Sequence, residues 1–193
     1  MNHFELAVGY HNLGRFDAAL EHYTAVLAAD ELNVEARNNL GLLYYGHQRT
    51  DEAIDQFRRA SRIRPDYVKA RSNLAVVLTS AGRLAEARAE LRAAREAAPR
   101  DPDLLVNMAL VEKADGHPEA AIELLVRALG YEPLHGMAHY NLAVLYDERG
   151  SLALAEEHYG AFLKHGEAAH GALLPRVQRR LREITETTPS ALQ

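Results

Sequence analysis

An all-α array of stacked helical hairpins is the fold class this sequence predicts, and three observations predict it. The first is a period. From Val34 to Tyr67 the chain places Leu40, Gly41, Tyr44, Ala53, Phe57, Ala60 and Pro65, and 34 residues on the same places hold Leu74, Ala75, Leu78, Ala87, Leu91, Ala94 and Pro99. Further copies read Met108, Ala109, Glu112, Ala121, Leu125, Ala128 and Pro133, then Leu142, Ala143, Tyr146, Ala155, Tyr159 and Phe162. Counting backwards gives Leu6, Ala7, Tyr10, Ala19, Tyr23 and Val26, so five copies fit without an inserted or deleted residue. A fixed period of this length marks a helical repeat array. The second observation is that apolar residues inside each copy recur at helical spacing in two runs, such as Leu40, Leu43, Tyr44 and then Ala53, Ile54, Phe57, Ala60. The third is composition: the chain is rich in Ala and Arg, lacks Trp and shows little sign of strands.

Numbering each copy from the place of Val34, position eight holds Ala7, Gly41, Ala75, Ala109 and Ala143, and position twenty holds Ala19, Ala53, Ala87, Ala121 and Ala155. Small residues at both places let two antiparallel helices approach closely. Larger Leu, Tyr and Phe side chains then fill the space between one pair and the next. A single pair cannot bury its apolar faces alone, so stacking is required.

This pattern resembles the tetratricopeptide repeat (TPR) family, whose unit is a 34-residue helix–turn–helix with these small and large residues. The resemblance implies a right-handed superhelix of five units, over 1–33, 34–67, 68–101, 102–135 and 136–169, followed by a C-terminal capping helix at 170–186 and a disordered tail at 187–193. Such arrays serve many partners, so it fixes a fold far better than a function.

Composition bounds the rest. With 193 residues and 48% hydrophobic content the chain is ample for a globular or solenoid protein. Without Cys there is no disulfide framework, thiolate metal site or lipoprotein anchor. The opening Met1-Asn2-His3-Phe4-Glu5 lacks the basic and apolar runs of a signal peptide. No window reaches membrane-spanning length. A cytoplasmic protein without membrane insertion is the expectation. The formal charge of −5 argues against a general nucleic-acid binder, which needs a basic face.

In chain order, the first helix is expected from about Asn2 to Leu13, turning at Gly14, with the second from Asp17 to Ala29. The array begins without a capping element, which leaves two readings: self-association or another contact through this uncapped repeat, or excision from a longer protein. Gln48 stands at the interhelix turn where the other copies have Gly14, Gly82, Gly116 and Gly150, and should hold a left-handed turn less comfortably. Asp101-Pro102 and His117-Pro118 each open a helix with a capping residue followed by proline. Glu112 occupies a packing place and is expected to be paired or partly solvated. Near the end, Leu173, Leu174, Val177, Leu181 and Ile184 form one apolar stripe over about Gly171 to Thr185, with Arg176, Arg179, Arg180 and Arg182 opposite. That basic face is either solvated or a patch for an anionic partner.

The functional expectation rests on position six, which is Asn39, Asn73, Asn107 and Asn141 in four copies. Asn in a helix interior costs roughly 0.6 kcal/mol against Ala, so a recurring Asn calls for an explanation. A carboxamide pairs with a backbone N–H and C=O together, which suits gripping an extended chain largely regardless of its sequence. In the TPR geometry this position faces the concave wall, and the column is similar to the asparagine ladder of O-linked N-acetylglucosamine transferase superhelices. The likeness implies peptide binding for these four residues and none of that enzyme's chemistry; the other reading is ordinary wet lining of a groove. Further lining residues are Asn38 and Tyr140 at position five, Leu42, Val76, Leu110 and Val144 at position nine, and Tyr45 at position twelve.

Other chemistry has little support. A chaperone-type carboxylate clamp fails, because no copy has Asn at position nine or a basic residue at position six. His135 and His139 have the i, i+4 spacing of a metal pair, but no third ligand follows. No phosphate loop or nucleophile motif appears. The sequence therefore predicts a non-enzymatic protein-interaction module without cofactor or metal, taking a protein or peptide segment in its concave groove. A self-assembling scaffold and a regulatory fragment of a larger enzyme are the competing readings.

Overall fold

A computed structural model describes residues 2–166 and 168–187. Two compact units form, Met1–Pro99 and Arg100–Gln193. The first holds α1 (His3–Asn12), α2 (Phe16–Ala29), α3 (Val34–Gly46), α4 (Thr50–Ile63), α5 (Val68–Ser80) and α6 (Leu84–Ala97). The second holds α7 (Pro102–Ala114), α8 (Pro118–Tyr131), α9 (Gly136–Glu148), α10 (Leu152–His165), a 3₁₀ segment (Ala168–Leu173) and α11 (Leu174–Thr187). Among the described residues there is no strand, and no helix is long and apolar enough to cross a membrane.

The period survives into the helix starts. First helices begin at Val34, Val68, Pro102 and Gly136, and second helices at Phe16, Thr50, Leu84, Pro118 and Leu152, each step being 34 residues. Within each unit consecutive helices pack as antiparallel pairs, and each second helix packs on the next first helix. First helices also approach one another, α1 to α3 and α3 to α5 in one unit and α7 to α9 in the other. They present one continuous face in each unit.

Local chemistry sets the ends of these helices. Asn2 caps α1 in a full capping box with Glu5, Asn33 caps α3, and Asp101 caps α7 just ahead of Pro102. His135 takes this role for α9, its ring nitrogen accepting from the Ala138 N–H at 3.2 Å. Each turn between the two helices of one repeat is a Schellman motif. In the first, Arg15 N–H reaches Tyr10 C=O and Gly14 N–H reaches His11 C=O, both at 2.9 Å. In the second, Arg49 N–H reaches Tyr44 C=O at 2.9 Å and Gln48 N–H reaches Tyr45 C=O at 3.0 Å. The turn therefore keeps its form without glycine, and Gln48 adopts φ 60° where Gly14, Gly82, Gly116 and Gly150 have φ 68°, 73°, 80° and 72°.

Two sequence expectations are refined. The segment before the last helix is a 3₁₀ turn, and the α-helix begins only at Leu174, with Pro175 in its first turn, where a missing N–H costs nothing. Thr187 ends that helix; the rest of the expected tail, 188–193, lies outside the described residues. Glu112 is half-buried, and its carboxylate faces the His117 ring at 3.4 Å.

A left-handed conformation at a residue with a Cβ is strained by about 1–2 kcal/mol, and the greater unfolded-state freedom of Gly offsets part of its removal. Gln48→Gly should raise stability by about 0.5–1 kcal/mol, measured by urea unfolding. A loss of stability would show that the Gln48 side chain contributes a compensating contact.

Candidate functional site

The first-helix face of the N-terminal unit carries a cleft of about 440 Å³, lined by Phe4 of α1, Glu35, Asn38, Asn39 and Leu42 of α3, Tyr67, and Lys69 and Asn73 of α5. Leu42 is 36% exposed although apolar. Small residues on the opposite side of the first helices seat them tightly on their partners, which turns positions five, six and nine to this face.

The asparagines here are joined to one another. Asn38 is only 4% exposed. Its Oδ1 accepts from Asn73 Nδ2 at 2.9 Å, and its own Nδ2 donates to Asn39 Oδ1 at 3.3 Å. Asn39 in turn hydrogen-bonds the hydroxyl of buried Tyr23, whose pKa is pushed up to about 12 by burial, with the Asn39 bond opposing the rise. The relay fixes which end of each carboxamide faces which way. A carboxamide has two donor hydrogens and an oxygen with two lone pairs, so Asn39 and Asn73 each keep one N–H and acceptor capacity for a ligand.

Around these amides stand Glu35 and Lys69, both exposed and of opposite sign, and Tyr67. Burial and the Glu35 charge raise the Tyr67 phenol, while the Arg64 guanidinium, 4.3 Å over its ring, lowers it. Glu35 and Lys69 are not among the lining residues expected from the sequence. Their signal is present in its periodicity, which turns position two to the inner wall. Tyr67 falls at the last position of its copy, where no periodic argument reaches.

The C-terminal unit has a second cleft, of about 230 Å³, lined by Tyr140, Val144, Asp147, Tyr159, Arg176, Val177, Arg179, Arg180 and Glu183. It exists because α11 lays its apolar stripe on the last pair: Val177 and Ile184 are buried with Ala143, Ala155, Tyr159 and Phe162, and Tyr140 and Val144 pack against this cluster. Arg180 grips Asp147 through both oxygens, Nε at 2.8 Å and a terminal nitrogen at 2.7 Å, and also pairs with Glu183 at 2.9 Å. The Arg180 hydrogen bond holds the Asp147 carboxyl below its ordinary value, and burial raises the Tyr159 phenol beside it.

The remaining expected residues are distributed as follows. Asn141 is 9% exposed, and its Nδ2 turns back to the Met137 carbonyl of its own helix at 2.8 Å. Asn107, Val76 and Leu110 are half-buried. Tyr45 is half-buried, its hydroxyl 2.9 Å from Ser80 Oγ. His135 and His139 do not converge: His135 caps α9 and meets Asp103 at 3.0 Å, while His139 turns to His158. Among the described residues no group of three or more His, Cys, Asp or Glu could hold a metal ion.

Models of two tetratricopeptide repeat families match the chain, one at residues 4–68 and 106–170 and one at 44–105. The chain belongs to the tetratricopeptide repeat family. No curated protein matches it. Among solved structures it is similar to TTC0263, a thermophilic TPR protein of Thermus thermophilus, at 23% identity and TM-score 0.78 over 95% of this chain and 97% of that one. It is similar to PilW, a type IV pilus biogenesis factor, at 23% identity and TM-score 0.76 over 84% and 76%. MamA matches at 22% identity and TM-score 0.67 over 86% and 97%. At these identities the likeness is one of TPR fold, and the all-helical TPR array expected from the period is what these relatives share.

Three outcomes test the geometry. Asn38→Ala removes the hub of the amide relay and should cost about 1–3 kcal/mol in urea unfolding; a neutral effect would mean that water replaces it freely. Asp147→Ala should cost about 1 kcal/mol, a bidentate pair discounted for exposure. Because the Asp147 pKa is depressed in the fold, that contribution is fully present above the ordinary value of 3.8 and is lost as pH falls through the lower folded value. Protection factors of α11 amides in wild type, which are exchange rates taken relative to the intrinsic rate at each pH, should fall only in that acidic window, and a fall already at about pH 5–6 would contradict the assignment.

Proposed function

We propose that this TPR protein is a protein-interaction module that holds an extended or partly helical peptide segment against its first-helix face. The observation that carries the reading is the N-terminal cleft, in which Asn39 and Asn73 present oriented carboxamides beside the exposed Leu42. Carboxamides pair with main-chain N–H and C=O groups, and an aliphatic neighbour takes a side chain, which together favour a peptide over a small metabolite. Extended strands and peptides rise about 3.3 Å per residue, and neighbouring first helices at about 10 Å match roughly three residues per step.

In the same reading, taken for each unit by itself, the first helices of the N-terminal unit also present Asn38, Val76 and Tyr45, and those of the C-terminal unit carry Asn107, Asn141, Leu110, Tyr140 and Val144. Asn38 acts by orienting Asn39 and Asn73 rather than by reaching the ligand. Asn141 would have to release its Met137 bond to engage, which makes it the weakest member.

Binding of a diverse peptide library to wild type and to Asn39→Ala/Asn73→Ala tests this. Peptides selected on wild type should lose at least tenfold in affinity, about 1.4 kcal/mol, with the fold intact by circular dichroism. Peptides that bind both forms equally would move the site off this face.

A further inference from the structure

Positions four and twenty-three of each repeat face each other across the helix pair. In the second repeat Arg37 donates to the Glu31 carbonyl at 2.7 and 3.0 Å and to Gln56 Oε1 at 3.3 Å. In the third, Arg71 donates to the Pro65 carbonyl and to Glu90, both at 2.7 Å. Each arginine is a donor tied at both ends to acceptors. In the fifth repeat the same two places hold His139 and His158.

His139 Nε2 lies 3.0 Å from the Pro133 carbonyl. A carbonyl only accepts, so Nε2 carries the proton and the neutral ring leaves Nδ1 bare. That Nδ1 faces His158 Nδ1 at 2.9 Å. The His158 ring is held by stacking on Tyr146, centroids 5.6 Å apart and planes 7° from parallel. Both rings are half-buried, and burial together with His139 lowers the His158 pKa, with Glu157 opposing. A histidine whose second nitrogen donates to a backbone carbonyl is the usual outer-shell arrangement of a metal ligand.

We propose that His139 and His158 form a binding site for a nitrogen-preferring divalent transition-metal ion, of the Ni²⁺ or Cu²⁺ kind, held through the two Nδ1 atoms. With metal–nitrogen bonds of about 2.0–2.1 Å, nitrogens 2.9 Å apart subtend an angle of about 90° at the metal. Tetragonal and octahedral ions take that angle, whereas the tetrahedral angle of Zn²⁺ needs a separation of about 3.3 Å. On binding, the proton that His158 Nδ1 shares with His139 moves to His158 Nε2, and water completes the coordination. The first repeat repeats the constellation with His3 and His22 at 2.9 Å and Tyr10 stacked on His22, but His3 is exposed, so this copy is the weaker.

The test is calorimetric titration of Ni²⁺ into tag-free protein at about pH 7.5, where imidazole is neutral, with His139→Asn, His158→Asn and His3→Asn/His22→Asn compared. The proposal expects a site that weakens at least tenfold in each single variant and persists in the His3/His22 double variant. No Ni²⁺ binding by wild type, or affinities in His158→Asn within twofold of wild type, would overturn it. Should a variant fail to fold, wild type still decides: stoichiometric Ni²⁺ should broaden the His139 and His158 imidazole resonances first, and earlier broadening at other histidines contradicts the site.

Discussion

The close approach of the two helices in each pair is the constraint on which the rest depends. Ala7 and Ala19, Ala53, Ala75 and Ala87, Ala109 and Ala121, and Ala143 and Ala155 are all buried at these crossings. The crossing of α3 and α4 has no Cβ at position eight. One built on Gly41 would sit 2.7 Å from the Phe57 ring, which is itself fully buried. With the ring in that position, only a glycine opposite leaves room for it. Helix propensity favours Ala over Gly by about 1 kcal/mol, so packing at Gly41 overrides the local preference.

Once that spacing is set, the orientation of the first helices follows, and with it the face on which Asn39, Asn73 and Leu42 stand. The two units use that face differently. In the N-terminal unit it is neutral and amide-rich, with Glu35 and Lys69 offsetting one another. In the C-terminal unit α11 adds Arg176 and Arg179 at the rim, while the Arg180 charge is answered by Asp147 and Glu183. The Asn73–Asn38–Asn39 relay holds these amides in register, an arrangement that would lower the ordering cost of the peptide binding proposed here.

Periodicity made the fold legible. Helix starts, Schellman turns and the small-residue crossings all lie on positions that repeat, so five weak signals reinforce one another. Gln48 shows the limit of composition: the motif around it was strong enough to impose a left-handed turn on a residue with a Cβ. The site was legible only in outline. Position six marked Asn39 and Asn73, but their hydrogen bonds to Asn38 and Tyr23 include links between different helices, which sequence spacing does not reveal. Asn141 has the same position and a different fate, because nothing in a column of identical residues says which amide turns back on its own helix. His139 met His158 rather than His135, since a partner across the pair outcompeted the i, i+4 neighbour already committed as a cap.

The proposed peptide site lies on the first-helix face and not on the second-helix surface. Amide chemical-shift mapping with a library-selected peptide tests it most directly. Perturbations should centre on the side-chain amides of Asn39 and Asn73 and the methyls of Leu42. Perturbations confined to α2, α4 and α6 would contradict it.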